Sequence, residues 1–492
     1  MSNITIMILA PLLLFTFIIT LVGVWRLTWA YIAAIIGMVI SLAAASIGLF
    51  KVLNEGTQRH FLGGWAPPFG IEYVLDHLSA FMAVIIVFIG LITLIYPPLA
   101  GMYTSPRRGI PIYGLFMLLI TGLVGVVITG DLFNLFVFLE IYSLASYALI
   151  SLGGARAMVA GFRYLILGTI AGSFYLLGVG FIYFSTGTLN MADAAQLLPA
   201  IYDSPAVMAA VALIVVGMGI KMALFPLHVW LPDAHSYAPP VIAAVLAAIQ
   251  IEVAAYVIIR VLLTVFQPYY LIEYLPVTTI IGWVSATGII FGSVMAVAQK
   301  DFKRMLAYST VAQVAYIGLG IGLVNPLGLI GGLLHILNHA FMKTCLFLIA
   351  GAIRYQTGLH AIPQFAGLGR KMPLVMGALA VAALSMIGIP PTGGFFSKWY
   401  LMLGSIEAQN WVFVAVIAAS SLLTAVYFFR IIEKVFTAPS VSEQAVEQAK
   451  EPAMRILAPI LILAVGVIVL GLINAFIVTH VLWPVVAPLQ SG

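Results

Sequence analysis

Charged residues are scarce in this sequence. They make up 8% of its 492 residues, whereas hydrophobic residues make up 63%. A soluble globular protein carries about 25% charged residues, so the composition excludes that class. The apolar–polar alternation of membrane β-barrel strands is missing as well, which excludes a barrel. In lipid the backbone polar groups must then be satisfied inside α-helices.

Cysteine and long polar segments are also nearly absent. Cys345 is the single cysteine, so no internal disulfide can form, and we interpret it as a small buried apolar side chain. The chain has no Cys-x-x-Cys cluster, no glycine-rich nucleotide loop after a strand and no Ser/His/Asp grouping, so no cofactor, metal or catalytic site is predicted. The longest polar stretch, residues 437–454, contains VSEQAVEQAKEPAM and predicts only a short surface helix.

Long apolar runs fill most of the chain. About fourteen of them are long enough to cross the hydrocarbon core as helices of about 20 residues. They cover residues 4–24, 30–52, 79–100, 110–129, 130–152, 160–186, 205–225, 239–265, 274–298, 303–324, 326–353, 372–403, 410–437 and 454–483. The first run lacks a basic flank before it and a cleavage site after it, so we interpret it as a spanning helix. We predict an all-α polytopic membrane protein.

Basic residues are unevenly distributed between the predicted loops. One set of alternate loops holds most of the lysine and arginine, whereas the other set holds Lys51 and Arg59. Basic loops mark the cytoplasmic side. We therefore attribute the positive charge to orientation in a prokaryotic cytoplasmic membrane, with both termini on the outer side, and expect no nucleic-acid partner. Residues 53–78, with GGWAPPFGIEYVLDH, predict a hairpin on the outer face, and residues 187–204 predict an interfacial segment.

Ionisable side chains occur inside five apolar runs: Glu140, Lys221, Glu252, Lys343 and Lys398. A charge at the bilayer centre costs at least a few kcal/mol and therefore indicates function by default. A single buried Glu–Lys pair could instead only orient helices, but five charges on five helices favour function. Arg260 lies near the outer end of its helix, where its side chain can reach the interface, and we interpret it as structural.

His335, His339 and Lys343 are four residues apart and share one helix face. Two histidines at this spacing can bind a metal, but no third ligand stands beside them in this helix. Histidine exchanges protons near neutral pH, so the pattern favours a proton-carrying stripe. Hydrogen bonds from the histidines to neighbouring backbone or side chains remain the alternative.

Two helices are interrupted next to a lysine. In GIKMALFPLHVWLPDAHSYAPP (219–240), Pro226 follows Lys221, and in GIPPTGGFFSKWY (388–400), Pro390 and Pro391 precede Lys398. Proline removes a backbone donor, and freed backbone groups are tolerated at membrane depth only where protein or water lines them. Each break therefore predicts a hydrated site. The first break also holds three supporting polar residues, His228, Asp233 and His235.

The two breaks lie five predicted helices apart. Five is odd, so two copies of one unit would be inverted in the membrane, as in many transporters. We predict two inverted five-helix repeats, at residues 110–265 and 266–437. Residues 1–109 would supply three helices and the outer-face hairpin, and residues 438–492 the surface segment and the C-terminal helix.

Five stretches together resemble the proton-translocating antiporter-like family. They are GDLFNLFVFLEIYSLASYALI (130–150), FPLHVWLPDAHSYAPP (225–240), DFKRMLAYSTVAQVAYIGLG (301–320), HILNHAFMKTCLFLIAG (335–351) and GIPPTGGFFSKWY (388–400). The family comprises membrane-arm subunits of respiratory complex I, subunits of membrane-bound hydrogenases and subunits of Mrp-type Na+/H+ antiporters. The length and the GGWAPPFGI segment most resemble the D-type branch of the Mrp antiporters, with the hydrogenase type close behind.

The resemblance implies roles for the buried charges. Glu140 matches a glutamate that pairs with the lysine of the first broken helix, here Lys221. His335, His339 and Lys343 match a linking stripe, and Lys398 matches the terminal ionisable residue. The family usually has lysine or histidine where this chain has Glu252, so Lys221 could be flanked by two carboxylates. Glu252 could itself carry a proton or bind a cation.

The expected function is that of a proton-translocating subunit of a multisubunit Na+/H+ antiporter, a transporter rather than an enzyme. The expected partners are other membrane subunits, protons, Na+ and membrane lipid. The alternative is a proton-pumping subunit of a redox complex whose catalytic centres lie in partner subunits. A third interpretation, an assembly scaffold, is disfavoured by the central charges.

Overall fold

The computed structural model describes residues 3–96, 106–437 and 444–490. Its main helices are α1 (Ile4–Gly23), α2 (Leu27–Glu55), α3 (His77–Ile95), α4 (Pro106–Ile128), α5 (Leu132–Ser151), α6 (Ala155–Thr186), α7 (Pro205–Met222), α8 (Pro240–Val265), α9 (Val277–Ala298), α10 (Phe302–Leu323), α11 (Pro326–Thr357), α12 (Pro373–Ile387, then Gly393–Glu407), α13 (Trp411–Phe436) and α14 (Met454–Leu472). Thirteen of the described helices are long and apolar enough to cross a membrane, and the broken helix α12 is the fourteenth predicted span. The predicted all-α membrane fold is confirmed.

Most predicted boundaries differ from the observed ones by a few residues, and three segments differ in other ways. The predicted helix 454–483 is divided, because α14 ends at Leu472 and a second apolar helix covers Asn474–Val486. The predicted helix 79–100 ends at Ile95, and residues 97–100 lie outside the described residues. In the polar segment 437–454 the helix covers Gln444–Glu447, while residues 438–443 also lie outside the described residues.

The predicted hairpin is present between α2 and α3. Strands β1 (Gln58–Phe61) and β2 (Glu72–Leu75) pair antiparallel, with Arg59 opposite Val74. Buried Glu72 accepts hydrogen bonds from Arg59 at 2.7 Å and from the Asn190 side chain at 3.0 Å. The hairpin thereby holds the segment that follows α6, where a short helix covers Met191–Leu197.

The central helices are α8 and α11. In an apolar 18-residue stretch of each helix, 100% of the residues of α8 and 94% of those of α11 are buried, against 39% in α1. Such burial means that both helices face protein rather than lipid, so polar side chains on them can find partners. Two π-helical turns, Leu246–Gln250 and Arg260–Val265, interrupt α8, a feature that often marks functional sites.

One turn occurs twice in the chain. Asp131 and Asp301 cap the N-termini of α5 and α10 by accepting a backbone hydrogen bond from the residue three positions on. After each cap the first helical amide binds a distant strand-like segment: Leu132 N donates to Leu189 O at 2.9 Å, and Phe302 N to His360 O at 3.0 Å. The two caps are five spans apart and so lie at opposite ends of the bundle.

The two broken helices also end alike. Ala223 and Gly388 adopt the left-handed conformation, with φ of 58° and 92°. The next amides, Leu224 N and Ile389 N, reach back to Gly219 O at 2.9 Å and Leu384 O at 3.0 Å, which is the hydrogen bond of a Schellman C-cap. Both helices therefore end just before the predicted breaks at Pro226 and Pro390–Pro391. The boundaries of the five-helix repeats stay a prediction.

Arg260 has a structural partner near the end of α8. It is 8% exposed, and its guanidinium donates to both Asp76 oxygens, at 2.5 and 2.8 Å. The pair joins the N-cap of α3 to the end of α8. Burial alone would raise the pKa of the Asp76 carboxyl, but the Arg260 guanidinium and the Ser79 hydrogen bonds hold that pKa well below its usual range.

Replacing Asp76 with asparagine should lower the free energy of unfolding by about 2 kcal/mol, since hydrogen bonds to charged groups contribute about 1.5–3 kcal/mol. The contribution of a carboxyl with a depressed pKa is complete above its unfolded-state pKa of about 3.9, and it declines as the pH falls towards the lower folded-state value. Thermal unfolding of the detergent-purified protein between pH 3 and 7 measures both effects. Asp233→Asn is the control, because its partners Arg163 and Arg304 are 64% and 35% exposed and the loss should be small. Equal losses in the two variants would contradict the assignment.

Candidate ion-translocation site

Lys221 lies in the last turn of α7, inside the protein. Its side chain is 1% exposed, and Nζ donates to Ser143 Oγ at 2.6 Å and to Tyr147 OH at 3.2 Å, both on α5. The rings of Tyr142, Tyr147 and Tyr164 lie 5.7–6.0 Å from Nζ, close enough for cation–π attraction. The ammonium group is therefore held by hydroxyls and aromatic faces.

Glu140 does not form the direct ion pair with Lys221 that the resemblance implies. No carboxylate of the described residues lies within 4 Å of Lys221 Nζ, and buried Glu140 Oε1 has no hydrogen-bond partner there. Glu140, Ser143 and Tyr147 nevertheless share one face of α5, at spacings of three and four residues. The carboxylate is thus held on the same helix face as the two hydroxyls that bind the lysine.

Two glycines of α6 make room for these groups. A Cβ atom on Gly172 would lie 2.4 Å from Glu140 Oε1, and one on Gly168 would lie 1.9 Å from Tyr147 OH and 3.3 Å from Lys221 Nζ. Gly168 and Gly172 are one turn apart, so Gly168 faces Tyr147 and Lys221, and Gly172 faces Glu140. The close approach of α6 to both groups depends on the missing side chains.

Gly172→Ala should reduce transport by about tenfold or more without preventing assembly. The new methyl group displaces a flexible carboxylate rather than backbone, and a misplacement of about 1 Å can lower a rate by up to about a hundredfold. The measurement is the initial transport rate in vesicles, normalised to the amount of assembled complex. Gly180→Ala on the same helix is the matched control, because a Cβ there meets no atom within 4 Å. Wild-type transport by Gly172→Ala would show that the position of Glu140 is unimportant.

An uncharged polar cluster lies beside the lysine. Gln250, in the first π-helical turn of α8, accepts a hydrogen bond from Ser146 Oγ at 2.7 Å and donates to Tyr164 OH. Tyr164 meets Tyr147 edge to face at 4.8 Å. Gln250 therefore joins α5 and α6 next to the residues around Lys221, two positions before Glu252 in α8. Its role was not predicted, because an uncharged amide does not stand out as an ionisable group does in an apolar run.

Glu252 pairs with the histidine stripe rather than with Lys221. Its Oε1 lies 2.6 Å from Nδ1 of His339 on α11, and both side chains are fully buried. Glu252 Oε2 and His339 Nε2 have no partner among the described residues. Lys221 is therefore not flanked by two carboxylates, as the sequence had suggested it could be. A carboxylate and an imidazole at this distance can share one proton.

The stripe continues from His339 towards Lys398. The His335 and His339 rings are 5.9 Å apart, and His335 Nδ1 lies 2.9 Å from Ser397 Oγ on the second half of α12. Tyr316 of α10 lies beside both His335 and Lys398: its ring is 5.4 Å from the His335 ring and 5.1 Å from Lys398 Nζ. The predicted order of ionisable groups from α8 to α12 is therefore a spatial order too.

Lys398 occupies the second break. Its Nζ donates to the freed carbonyls of Met386 and Ile387, at 2.9 and 3.1 Å, and to Ser421 Oγ at 3.1 Å. At the first break the freed carbonyl of Ile220 accepts instead from Trp230 Nε1 at 2.8 Å. A cation at the C-terminal end of a helix is favoured by the helix dipole. The two lysines thus lie on opposite sides of their breaks.

Lys343 lies outside the row of contacts from Glu252 to Lys398. Its Nζ donates to Leu306 O at 2.9 Å and to Ser309 Oγ, both on α10. The predicted stripe His335, His339 and Lys343 is present along α11, but its three members have different partners. The alternative interpretation, histidines that hydrogen-bond neighbouring backbone or side chains, also fits the contacts of His335 with Ser397 and of His339 with Glu252, so the proton-carrying role of the stripe stays a prediction.

The three supporting polar residues of the first break make no hydrogen bond to the buried ionisable groups described above. His235 is fully buried among Trp230 and Phe347, and neither ring nitrogen has a partner among the described residues. His228 packs against aromatic rings. Asp233 forms ion pairs with Arg163 and Arg304, at 3.1 and 3.4 Å. Asp233 therefore belongs to a charged network at the end of the helices.

Buried ionisable groups on several packed helices, two of them broken, define an integral membrane protein of antiporter-like architecture. The chain belongs to the NADH:quinone oxidoreductase/Mrp antiporter transmembrane family, whose sequence model matches residues 129–424. It is 51% identical over 455 residues to the N-type subunit of NADH-quinone oxidoreductase from Desulforudis audaxviator, covering 90% of both chains. It is 32% identical to the D-type subunit of the Na(+)/H(+) antiporter from Alkalihalophilus pseudofirmus, covering 89% of this chain and 87% of the relative.

Solved structures agree over nearly the whole chain. One is the structure of the Mrp complex from Dietzia sp. DQ12-45-1b, with a TM-score of 0.88 and 27% identity, covering 99% of this chain and 97% of that one. Another is the membrane-bound sulfane sulfur reductase, an archaeal respiratory membrane complex, with a TM-score of 0.88 and 30% identity, covering 100% and 97%. Both are multisubunit membrane complexes, which supports the expectation of membrane subunits as partners.

Proposed function

We propose that the chain is a proton-translocating subunit of a multisubunit Na+/H+ antiporter of the Mrp type. The observation that carries the proposal is the series of buried ionisable groups from Lys221 on α7, through Glu252 on α8 and the α11 histidines, to Lys398 on α12. In an otherwise apolar bundle these groups are expensive to bury unless they move charge. The similarity to the Alkalihalophilus pseudofirmus antiporter subunit and to the Mrp complex structure supports this setting.

Protonation at one group would alter the next through Coulomb interaction. Glu252 and His339 would share or exchange a proton, since 2.6 Å separates their polar atoms. Lys221 and Lys398 would bind and release protons at the two breaks. Glu140 would stabilise the protonated form of Lys221 from the same face of α5. Seven residues thus carry the proposed proton path: Glu140, Lys221, Glu252, His335, His339, Lys343 and Lys398.

A second candidate is a proton-pumping subunit of a redox complex. It is favoured by the 51% identity to a relative named as a subunit of NADH-quinone oxidoreductase, and by the likeness to an archaeal respiratory complex. In this setting the redox centres would lie in partner subunits. In both settings we propose that the chain itself is a transporter subunit and not an enzyme.

We further propose that the chain lies in a prokaryotic cytoplasmic membrane with both termini outside, and that residues 110–265 and 266–437 form inverted repeats. The paired Asp131 and Asp301 caps and the matching helix ends at Ala223 and Gly388 support the repeats. The distribution of lysine and arginine supports the orientation.

Everted membrane vesicles distinguish the two settings. The complete set of genes is expressed in a host without its own Na+/H+ antiporters, and the pH gradient is followed by a fluorescent dye. The antiporter predicts collapse of the gradient on addition of Na+. Acidification on addition of a redox substrate, with no response to Na+, would overturn the antiporter and support the redox pump.

A further inference from the structure

A basic cavity of about 340 Å³ opens at the predicted cytoplasmic ends of α6, α10 and α11. Its wall includes the basic residues Arg156, Lys303, Arg304, Arg354 and His360. Asp301 is the acidic residue among those lining it, and its carboxylate is engaged in capping α10 through Arg304 N at 2.8 Å. The proton path described above uses none of these residues.

Several of these basic side chains have no partner among the described residues. Arg156, Arg354 and His360 are exposed, and in the described part of the chain their side chains make no hydrogen bond or ion pair. Arg304 is partly neutralised by Asp233 at 3.4 Å. Lys303 is 7% exposed and its Nζ donates to Ala238 O, so this amine is already engaged within the wall of the cavity. The cavity therefore keeps an excess of positive charge.

The position of the cavity matches the level of lipid headgroups. Arg156 stands in the first turn of α6, Lys303 in the first turn of α10 and Arg354 in the last turn of α11. These ends carry the basic side chains that mark the cytoplasmic leaflet. Apolar lining from Phe302, Leu359 and Phe365 adjoins the charges. Basic pockets between membrane helices on this side suit phosphate headgroups.

We propose that this cavity binds the phosphate of an anionic lipid headgroup. Arg156 and Arg354, which have no partner among the described residues, contact the phosphate oxygens. Guanidinium groups suit this role because their planar donors match phosphate oxygens. The bound headgroup would connect α6, α10 and α11 next to Ser236 and Tyr237, at the end of the first break.

The test is a thermal-unfolding titration of the purified complex in detergent with phosphatidylglycerol, phosphatidylcholine or inorganic phosphate. Phosphatidylglycerol should raise the unfolding temperature more than phosphatidylcholine. The double variant Arg156→Gln/Arg354→Gln should weaken the apparent affinity for phosphatidylglycerol about 25-fold, at about fivefold for each cation removed. Both arginines are exposed and without partners, so folding should be retained, and the single variant Arg354→Gln is measured beside it.

Arg370→Gln/Lys371→Gln is the matched control. Both residues are exposed on the same predicted face, outside the cavity, and the variant removes the same charge. This control variant should keep the wild-type preference for phosphatidylglycerol over phosphatidylcholine. An equal effect of inorganic phosphate would keep the phosphate site but overturn the lipid as its ligand. Equal losses in the two double variants, or no difference between the two lipids, would overturn the proposal. A preference seen in the isolated chain but absent in the complex would indicate that a partner subunit fills the cavity, and would overturn it too.

Discussion

Lys221→Arg should abolish proton translocation as fully as Lys221→Ala does. Arginine keeps the positive charge near Ser143 and Tyr147, but its guanidinium is not deprotonated in proteins. If Lys221 must release a proton in each cycle, the transport rate of both variants should fall by on the order of a hundredfold or more. This is the contribution of a well-positioned proton-transfer group. The pH-gradient assay in everted vesicles measures the rate, and immunoblots measure assembly.

The arginine variant separates two roles of the lysine. If Lys221 acts only as a fixed positive charge on neighbouring groups, Lys221→Arg should retain substantial transport while Lys221→Ala loses it. That result would contradict proton exchange at this position. Lys371→Ala, an exposed lysine outside the bundle core, should transport at the wild-type rate. A comparable loss in Lys371→Ala would show that the assay reports expression rather than mechanism.

Glu252→Gln is the second change with a large expected effect. Glutamine keeps the shape and can hydrogen-bond His339 Nδ1, but it cannot carry a proton across the 2.6 Å contact. Transport should fall by on the order of a hundredfold. His339→Gln should produce a loss of similar size. The double variant should be no slower than either single variant, because residues that act as one unit are not additive.

Multiplicative losses in the double variant would contradict a shared step at Glu252 and His339. Glu447→Gln is the control, since this carboxylate lies in the short helix between α13 and α14, away from the ionisable groups. A further variant, Glu252→Lys, tests the departure from the family pattern. Glu252→Lys places a cation against His339 in a fully buried site, so it should impair assembly as well as transport, since an unpaired buried charge is strongly destabilising.

The helices and the buried charges could be predicted from sequence because both depend on local patterns. Apolar runs fix the spans, and a charge within a run is visible without tertiary structure. Partners were harder to predict. Glu252 and His339 are 87 residues apart, and only the packing of α8 against α11 brings them together. The same holds for Lys221, whose partners come from α5 rather than from its own break.

Some missed residues did leave a signal. Ser143 and Tyr147 share the helix face of Glu140, so the spacing alone could have indicated them. Gly168 and Gly172 form a small-residue pair four positions apart, a pattern typical of close helix packing in membranes. Tyr316 and Ser397 left no comparable signal, because single aromatic and hydroxyl side chains are ordinary in spanning helices. Their roles follow only from where α10 and α12 meet the histidines.

Gln250 gives the site a property that no single charge has. An amide side chain donates and accepts hydrogen bonds but does not gain or lose a proton at ordinary pH. It links Ser146 on α5 to Tyr164 on α6, beside the hydroxyls around Lys221, and cannot itself hold a proton. On the proposed path a charge at Lys221 would therefore act on the groups of α8 through its electric field, because the protein interior screens charge poorly. The groups around Lys221 and the Glu252–His339 pair would then influence each other electrostatically, without direct proton transfer through the amide of Gln250.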